Sequence, residues 1–302
     1  MNTKRNQTVS LVLGSGGARG LAHIGIINWL EENRYRIQSI AGSSIGALVG
    51  GIYAAGKLGE YESWVRTISK FDIFSLLDFS FGYSGLVKGE KLMAKLRKLV
   101  GEIEIESLPI TFTAVAADIV REREVWISKG PLFDAIRASI SLPLFFTPFR
   151  YKGRLLIDGG VFNPVPITPT FHDLTDMTIA VNLNAPPVGE EQKTPIKIEL
   201  KDDNELSGLN GFREKIAHFF AGFQSDDREE KPKEWDIFFI ANQSFDAMQG
   251  MIARQKLAAH PPDVTINIPR NACGFLDYDC ARKMISLGYQ EAEQQLSNFK
   301  PV

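Results

Sequence analysis

The sequence has 302 residues, of which 44% are hydrophobic and 23% charged, as in ordinary globular proteins. Its formal net charge of −2 gives no global basic field, so we expect no nucleic-acid partner. The two cysteines, Cys273 and Cys280, are too few for a disulfide framework, and their spacing matches no zinc knuckle; we expect reduced thiols of a cytoplasmic protein.

The first elements of the chain predict alternating strands and helices. A β-branched, apolar run predicts a buried strand at 8–13, and apolar residues at helical spacing predict a helix at 21–33. A short strand at 38–41, a small-residue helix at 45–55 and a further helix at 60–69 follow. Strand, glycine loop, helix, strand, glycine turn and helix form a βαβα pattern, which is typical of a parallel sheet with helices on its faces.

The rest of the chain extends this pattern after an aromatic-rich stretch at 71–87. Polar and charged residues at about 186–233 predict a variable surface insertion around a short helix near 211–223. We therefore expect one domain, a three-layer α/β/α fold with a mainly parallel central sheet, whose core is 8–185 and whose C-terminal helices and strand are in 234–302. The further predicted helices are 89–100, 131–139, 237–258 and 280–296, and the further predicted strands are 110–118 and 123–128, paired with each other, 154–157, 177–182 and 264–268.

A G-x-S-x-G turn stands between the strand at 38–41 and the helix that follows it. In this context a serine projects its hydroxyl from the sheet, and the positions two before and two after it must lack side chains. Gly42 and Gly46 meet this requirement for Ser44, whereas Ser43 has no glycine at either position. Ser44 is therefore the candidate nucleophile, although a small-residue turn between closely packed helices would carry the same pattern.

The glycine loop at 14–20 also joins a strand to a helix. A dinucleotide fingerprint fails by one position, because Arg19 stands where the last glycine is required, and a P-loop lacks its Gly-Lys-Ser/Thr. Consecutive glycines can also aim two backbone N–H groups at one point, as an oxyanion hole does. The loop alone favours phosphate binding, whereas together with the serine turn it favours an oxyanion loop with Gly16, Gly17, Arg19 and Gly20. Arg19 has three open roles: it holds the loop, meets a phosphate, or forms a structural ion pair.

The base that a serine nucleophile needs is not evident among the histidines. None of them stands at the end of a predicted strand, where a catalytic base is expected. For each of them we favour an ordinary surface or structural role. Asp158 instead ends an apolar strand and is followed by Gly159 and Gly160, which places it at the carboxyl edge of a parallel sheet beside Ser44. Turn initiation is the alternative role of Asp158. The histidines are His23, His172, His218 and His260.

These motifs, in this order, resemble the patatin-like phospholipase family, in particular its bacterial branch related to the catalytic domain of neuropathy target esterase. The resemblance is strong over about 8–185 and looser to the last helix. The matching segments are the glycine loop at 16–20, the serine turn at 42–46, Arg-Ala-Ser-Ile-Ser-Leu-Pro at 137–143, Asp-Gly-Gly at 158–160 and Asn-Pro-Val-Pro at 163–166.

The resemblance implies a Ser44–Asp158 dyad that works without histidine and hydrolyses fatty acyl esters of phospholipids or lysophospholipids. It implies no cofactor, and no metal site is evident in the sequence. An acyl thioesterase or acyltransferase, a non-catalytic lipid-binding regulator and a nucleotide-binding protein are the alternatives. Nucleotide binding is disfavoured by the glycine spacing, and the intact motif set argues against a decayed site.

The expected partner is a lipid substrate, and the oligomeric state stays open. No segment reads as a signal peptide, and the most apolar stretch, 45–55, is too short to span a bilayer. We expect a cytoplasmic protein, with peripheral contact at the inner membrane left open. Apolar residues at 71–87 and 142–146 are candidates for the walls of an acyl site, with ordinary core packing as the alternative.

Overall fold

The computed structural model describes residues 7–76, 78, 87–143, 145–189, 237–297 and 299. The strands of these residues form one eight-stranded sheet. They are β1 (Thr8–Leu13), β2 (Arg36–Ser43), β3 (Thr111–Asp118), β4 (Arg123–Ile127), β5 (Phe149–Tyr151), β6 (Arg154–Asp158), β7 (Met177–Ala185) and β8 (Val264–Pro269). Their order is β5-β6-β3-β2-β1-β7-β8, and β4 pairs with β3 outside this path.

The α-helices of the described residues connect these strands and cover the sheet. None of them is both long and apolar enough to cross a membrane. They are α1 (Ala22–Glu32), α2 (Ile45–Ala54), α3 (Leu58–Val65), α4 (Lys70–Leu76), α5 (Glu90–Val100), α6 (Leu132–Ser139), α7 (Ile237–Ala259) and α8 (Ala281–Ser297).

Side chains of the central strands alternate between two apolar layers, because successive residues of a strand point to opposite faces. Leu11 and Leu13 of β1 join a large buried cluster that contains apolar residues of α1, α2 and α8. Val12 and Ala180 belong to a second cluster with Ala253 of α7. The sheet thus has helices on both faces, which confirms the predicted three-layer α/β/α fold.

Strand directions confirm a mainly parallel sheet with an antiparallel end. The pairs β1–β2, β1–β7, β2–β3 and β7–β8 are parallel, and β3–β4, β3–β6 and β5–β6 are antiparallel. The predicted pairing of the strands at 110–118 and 123–128 is confirmed. The three-residue strand β5 was not predicted. The predicted helix near 211–223, and most of the insertion around it, lie outside the described residues.

The expectation that Asp158 ends a parallel strand is wrong. β6 runs antiparallel to β3, with Asp158 opposite Ala116, whereas β2 runs parallel to β3 and ends with Ser43 opposite Val115. β4 occupies one edge of β3 along residues 114–118, so β2 and β6 share its other edge in succession. The carboxyl ends of β2 and β6 therefore point at each other, which brings Ser44 and Asp158 together by a different route.

Candidate active site

Ser44 lies at the turn from β2 into α2 in a conformation that few non-glycine residues adopt. Its φ is 56° and its ψ is −123°, a strained region that is often retained at functional sites. A Cβ on Gly46 would overlap the carbonyl oxygen of Leu13, and a Cβ on Gly42 would overlap the backbone of Ala47. The two glycines of the G-x-S-x-G pattern are thus needed because the turn packs backbone against backbone.

The hydroxyl of Ser44 donates a hydrogen bond to Asp158, with Oγ 2.5 Å from Oδ2. The other carboxylate oxygen, Oδ1, accepts from the N–H of Gly160 at 2.7 Å. Burial raises the pKa of Asp158 to about 7, against the opposing effect of these two hydrogen bonds. The carboxyl group can therefore both accept and return a proton near neutral pH.

Two serines of the segment at 137–143 hold the backbones of the pair. The N–H of Ser44 donates to Ser139 Oγ at 2.9 Å, and Ser139 Oγ donates to the carbonyl of Val115 at 2.6 Å. The N–H of Asp158 donates to the carbonyl of Ser141 at 2.9 Å. The sequence marked this segment only as part of a family resemblance, because neither serine belongs to a local motif.

Arg137 anchors the end of α6, which includes Ser139 and is followed by Ser141. Its Nη1 donates to Ser141 Oγ at 2.6 Å, and its Nη2 donates to the carbonyl of Thr147 at 3.0 Å and to that of Lys88. Burial lowers the pKa of this guanidinium to about 10. Arg137 thus contacts the residues on both sides of the apolar segment at 142–146, Ser141 and Thr147. Residue 144 of this segment lies outside the described residues.

The glycine loop packs against the start of α2, beside Ser44. A Cβ on Gly20 would overlap the side chain of Ile45. The N–H of Ser15 donates to the carbonyl of Pro164, and that of Ala18 to the carbonyl of Phe275, both at 2.8 Å. No acceptor among the described residues takes the two N–H groups between them, which belong to the predicted oxyanion glycines at 16 and 17.

Arg19 lies under the loop, and its side chain is 1% exposed. Its Nε donates to the carbonyl of Gly16 at 2.9 Å, and its Nη2 lies 3.0 Å from a carboxylate oxygen of Asp246 on α7. Nη1 donates to the carbonyl of Arg270 at 3.1 Å. Of the open roles for Arg19, the structure shows the loop-holding contact and the ion pair, because the guanidinium is turned into the protein.

His23 also supports the loop. Its Nε2 lies 2.9 Å from the carbonyl of Gly14, so this nitrogen carries the proton. Complete burial lowers the pKa of His23 to about 4. Within the described part of the chain no histidine is hydrogen-bonded to Ser44 or Asp158. His218 lies outside the described residues.

The turn between β8 and α8 contains the one group of potential metal ligands found among the described residues. It consists of Cys273, Asp277 and Cys280. The same turn contacts the glycine loop, since Phe275 accepts the hydrogen bond from Ala18. Sequence spacing gave no sign of this group.

Together, fold and site define a class of α/β protein in which a serine at a strand-to-helix turn faces a buried aspartate and a glycine-rich loop. Residues 11–171 match the family model described as patatin-like phospholipase. The chain belongs to this family, as its sequence motifs indicated.

Three relatives illustrate the range of the family. An NTE family protein of Mycobacterium tuberculosis is 36% identical, with 97% of this chain and 92% of the relative aligned. A patatin-like phospholipase domain-containing protein of Caenorhabditis elegans is 35% identical over 52% of this chain. Lysophospholipase NTE1 of Scheffersomyces stipitis is 29% identical over 63% of this chain. The last two align over only 12% of their own lengths.

Proposed function

We propose that the protein is a serine acyl hydrolase that cleaves fatty acyl esters of phospholipids or lysophospholipids. Ser44 is the nucleophile and Asp158 the general base and acid. The observation that carries the proposal is the 2.5 Å hydrogen bond from Ser44 Oγ to Asp158 Oδ2, in a site where both residues are buried. A carboxylate that already accepts the hydroxyl proton is positioned to remove it as the oxygen attacks.

In the first half-reaction, Ser44 Oγ attacks the acyl carbonyl carbon while its proton passes to Asp158. The carbonyl oxygen becomes an oxyanion, which the N–H groups of Gly16 and Gly17 stabilise. The tetrahedral intermediate then breaks its bond to the alcohol, Asp158 returns the proton to that alcohol, and an acyl-serine remains.

In the second half-reaction, water attacks the acyl-serine while Asp158 takes one of its protons. The second tetrahedral intermediate breaks the bond to Ser44 Oγ, which regains the proton, and the fatty acid leaves. The two roles of Asp158 require a carboxyl group that is ionised in the free enzyme and protonated in each intermediate. A pKa of about 7 suits both states at neutral pH.

The choice of an acyl ester of a lipid as substrate rests on the relatives. The family is described as patatin-like phospholipase, and yeast and filamentous fungal relatives are named lysophospholipases. The family match at 11–171 includes the serine turn at 42–46 and the Asp-Gly-Gly segment at 158–160.

The test measures fatty-acid release from phospholipids, lysophospholipids and short acyl esters, with a chelator present. We expect Ser44→Ala to lose activity on the order of 10³-fold or more, since it removes the nucleophile. Asp158→Asn should lose nearly as much, because an amide cannot take up the proton.

Ser43→Ala is the matched control, because it deletes the neighbouring buried hydroxyl, which has no hydrogen-bond partner among the described residues. Its activity should stay within about threefold of wild type. Most activity remaining in Asp158→Asn would exclude the dyad. Release only from acyl thioesters would move the proposal to a thioesterase, and no release from any substrate by the folded protein would favour a lipid-binding regulator.

A further inference from the structure

The two cysteines of the sequence and one carboxylate converge at the turn between β8 and α8. The Sγ atoms of Cys273 and Cys280 and a carboxylate oxygen of Asp277 all lie within 4.8 Å of one another. Cys273 is buried, whereas Asp277 and Cys280 are partly exposed. Two soft sulfur ligands and one oxygen are therefore close enough to share one cation, and two of the three residues are partly exposed.

Hydrogen bonds within the turn hold the three ligands in place. The Asp277 carboxylate accepts from the N–H of Gly274 at 3.1 Å through Oδ2. The carbonyl of Asp277 accepts from the N–H of Cys280 at 3.0 Å and from the thiol of Cys273 at 3.4 Å. Because the backbone already has this shape, a bound cation would reinforce the turn rather than order it.

We propose that Cys273, Asp277 and Cys280 bind one divalent cation of the zinc class. Thiolate sulfur selects soft or borderline cations, and two sulfurs with one carboxylate oxygen leave the fourth position of a tetrahedral site to water. Binding displaces one proton from each thiol, so two S–H bonds and the hydrogen bond from the Cys273 thiol to the carbonyl of Asp277 are lost, two metal–sulfur bonds form, and two protons pass to solvent. No oxidation or reduction takes part.

The charge around the turn suits a bound cation. Two thiolates and one carboxylate carry −3, so a divalent cation leaves a net −1 at the cluster. The ammonium group of Lys283 donates to the carbonyl of Ala272 at 2.9 Å, next to Cys273, and it balances this residual charge.

The position of the cluster gives the cation a structural role beside the proposed active site. The carbonyl of Phe275, between the first two ligands, accepts from the N–H of Ala18 at 2.8 Å. A Cβ on Gly17 would overlap the same carbonyl and approach the Phe275 ring. A cation that fixes the turn thus also fixes the outer support of the glycine loop.

The experiment titrates the reduced, full-length protein with Co²⁺, whose thiolate complexes show charge-transfer absorption, and then displaces Co²⁺ with Zn²⁺. We expect one cation per chain and thiolate-to-cobalt absorption in the wild type. Cys280→Ser should remove this absorption and weaken Zn²⁺ binding at least about 100-fold, since loss of a mere outer-shell contact already costs 10–100-fold.

Asp277→Asn is the second variant, because its amide oxygen can still accept from Gly274 while its charge is lost. It should keep the fold and weaken Zn²⁺ binding. Ser44→Ala should bind the cation like wild type, so the outcome does not depend on the proposed hydrolase activity. Absence of thiolate absorption in wild type with two free thiols would overturn the site, as would an unchanged spectrum in Cys280→Ser. A Cys273–Cys280 disulfide in protein purified without reductant, with no cation bound after reduction, would also overturn it.

Discussion

Asp158 is subject to two opposing effects. Burial disfavours its charged form, whereas the hydrogen bonds from Ser44 and Gly160 favour that form, and burial is the larger effect. The pKa therefore rises from 3.8 to about 7 in the folded protein. Between these values the folded state binds a proton that the unfolded chain has already released, so stability is lost as the pH rises.

Replacement of Asp158 by Asn should make stability less sensitive to pH. Below pH 4 the carboxyl is neutral in both the folded and the unfolded state, so the free energies of unfolding of wild type and variant differ by a constant amount. From pH 4 to 7 the free energy of unfolding of the variant should rise relative to that of wild type, by on the order of 4 kcal/mol in total, because the variant has no charge to bury.

Thermal unfolding of both proteins across this pH range measures the difference. The pKa of His23 is lowered, so its contribution to the free energy of unfolding falls as the pH decreases toward 4. Both proteins contain His23, and this contribution therefore cancels when they are compared. A constant difference in the free energy of unfolding from pH 4 to 8 would show that Asp158 is ionised with an ordinary pKa.

Single residues could be predicted from the sequence where a local pattern marks them. Ser44 stands between glycines that the turn requires, and Asp158 precedes a glycine pair at the end of an apolar strand. Ser139 carries no such mark, because its role depends on Val115 and Ser44, which come near only in the folded chain. The two cysteines and Asp277 are close in sequence, but their convergence was missed because their spacing matches no known metal-ligand motif.

Helices and strands could be predicted from the sequence where their hydrophobic periodicity is strong, but the directions of the strands in the sheet could not. β5 has three residues, too few to show a period. The direction of β6 depends on its short connection from β5, with which it forms an antiparallel pair, and that pair continues onto β3. The apolar pattern of a strand does not determine whether it runs parallel or antiparallel to its neighbours. Only the pairing of β6 with β3 shows that the carboxyl end of β6 meets that of β2.

The hydrogen bond between Ser139 of α6 and the N–H of Ser44 at the start of α2 can be tested by mutation. Ser139→Ala should leave the buried N–H of Ser44 and the carbonyl of Val115 without their partner, at a cost of about 1–3 kcal/mol. Because the strained backbone of Ser44 is then held less firmly, kcat should fall about tenfold or more, with KM little changed.

Urea unfolding and steady-state kinetics on an acyl ester measure both effects. Ser63→Ala is the control, since it removes an exposed helix serine whose hydroxyl bonds only its own helix, at the carbonyl of Gly59. Wild-type stability and wild-type kcat in Ser139→Ala would refute a positioning role for this serine.

For the whole molecule, the last helix is packed tightly against the first. A Cβ on Gly288 of α8 would overlap the carbonyl oxygen of Ala22, and a Cβ on Gly25 of α1 would overlap that of Ile285. The helices meet backbone to backbone, although they stand at opposite ends of the chain. The pattern of elements along the sequence predicted a single domain, and this contact, together with the pairing of β8 with β7, joins its C-terminal part to the core.

Gly288→Ala should therefore destabilise the whole protein. Forced separation of the two helices costs about 1–3 kcal/mol, which exceeds the helix propensity gained by alanine, about 1 kcal/mol or less. Gly59→Ala is the matched control, because Gly59 is an exposed residue of α3 with nothing within 4 Å of an added Cβ, and it should be neutral or stabilising. Calorimetry should show one transition that shifts to lower temperature in Gly288→Ala. A second transition that alone shifts would mean that the C-terminal helices unfold separately from the core.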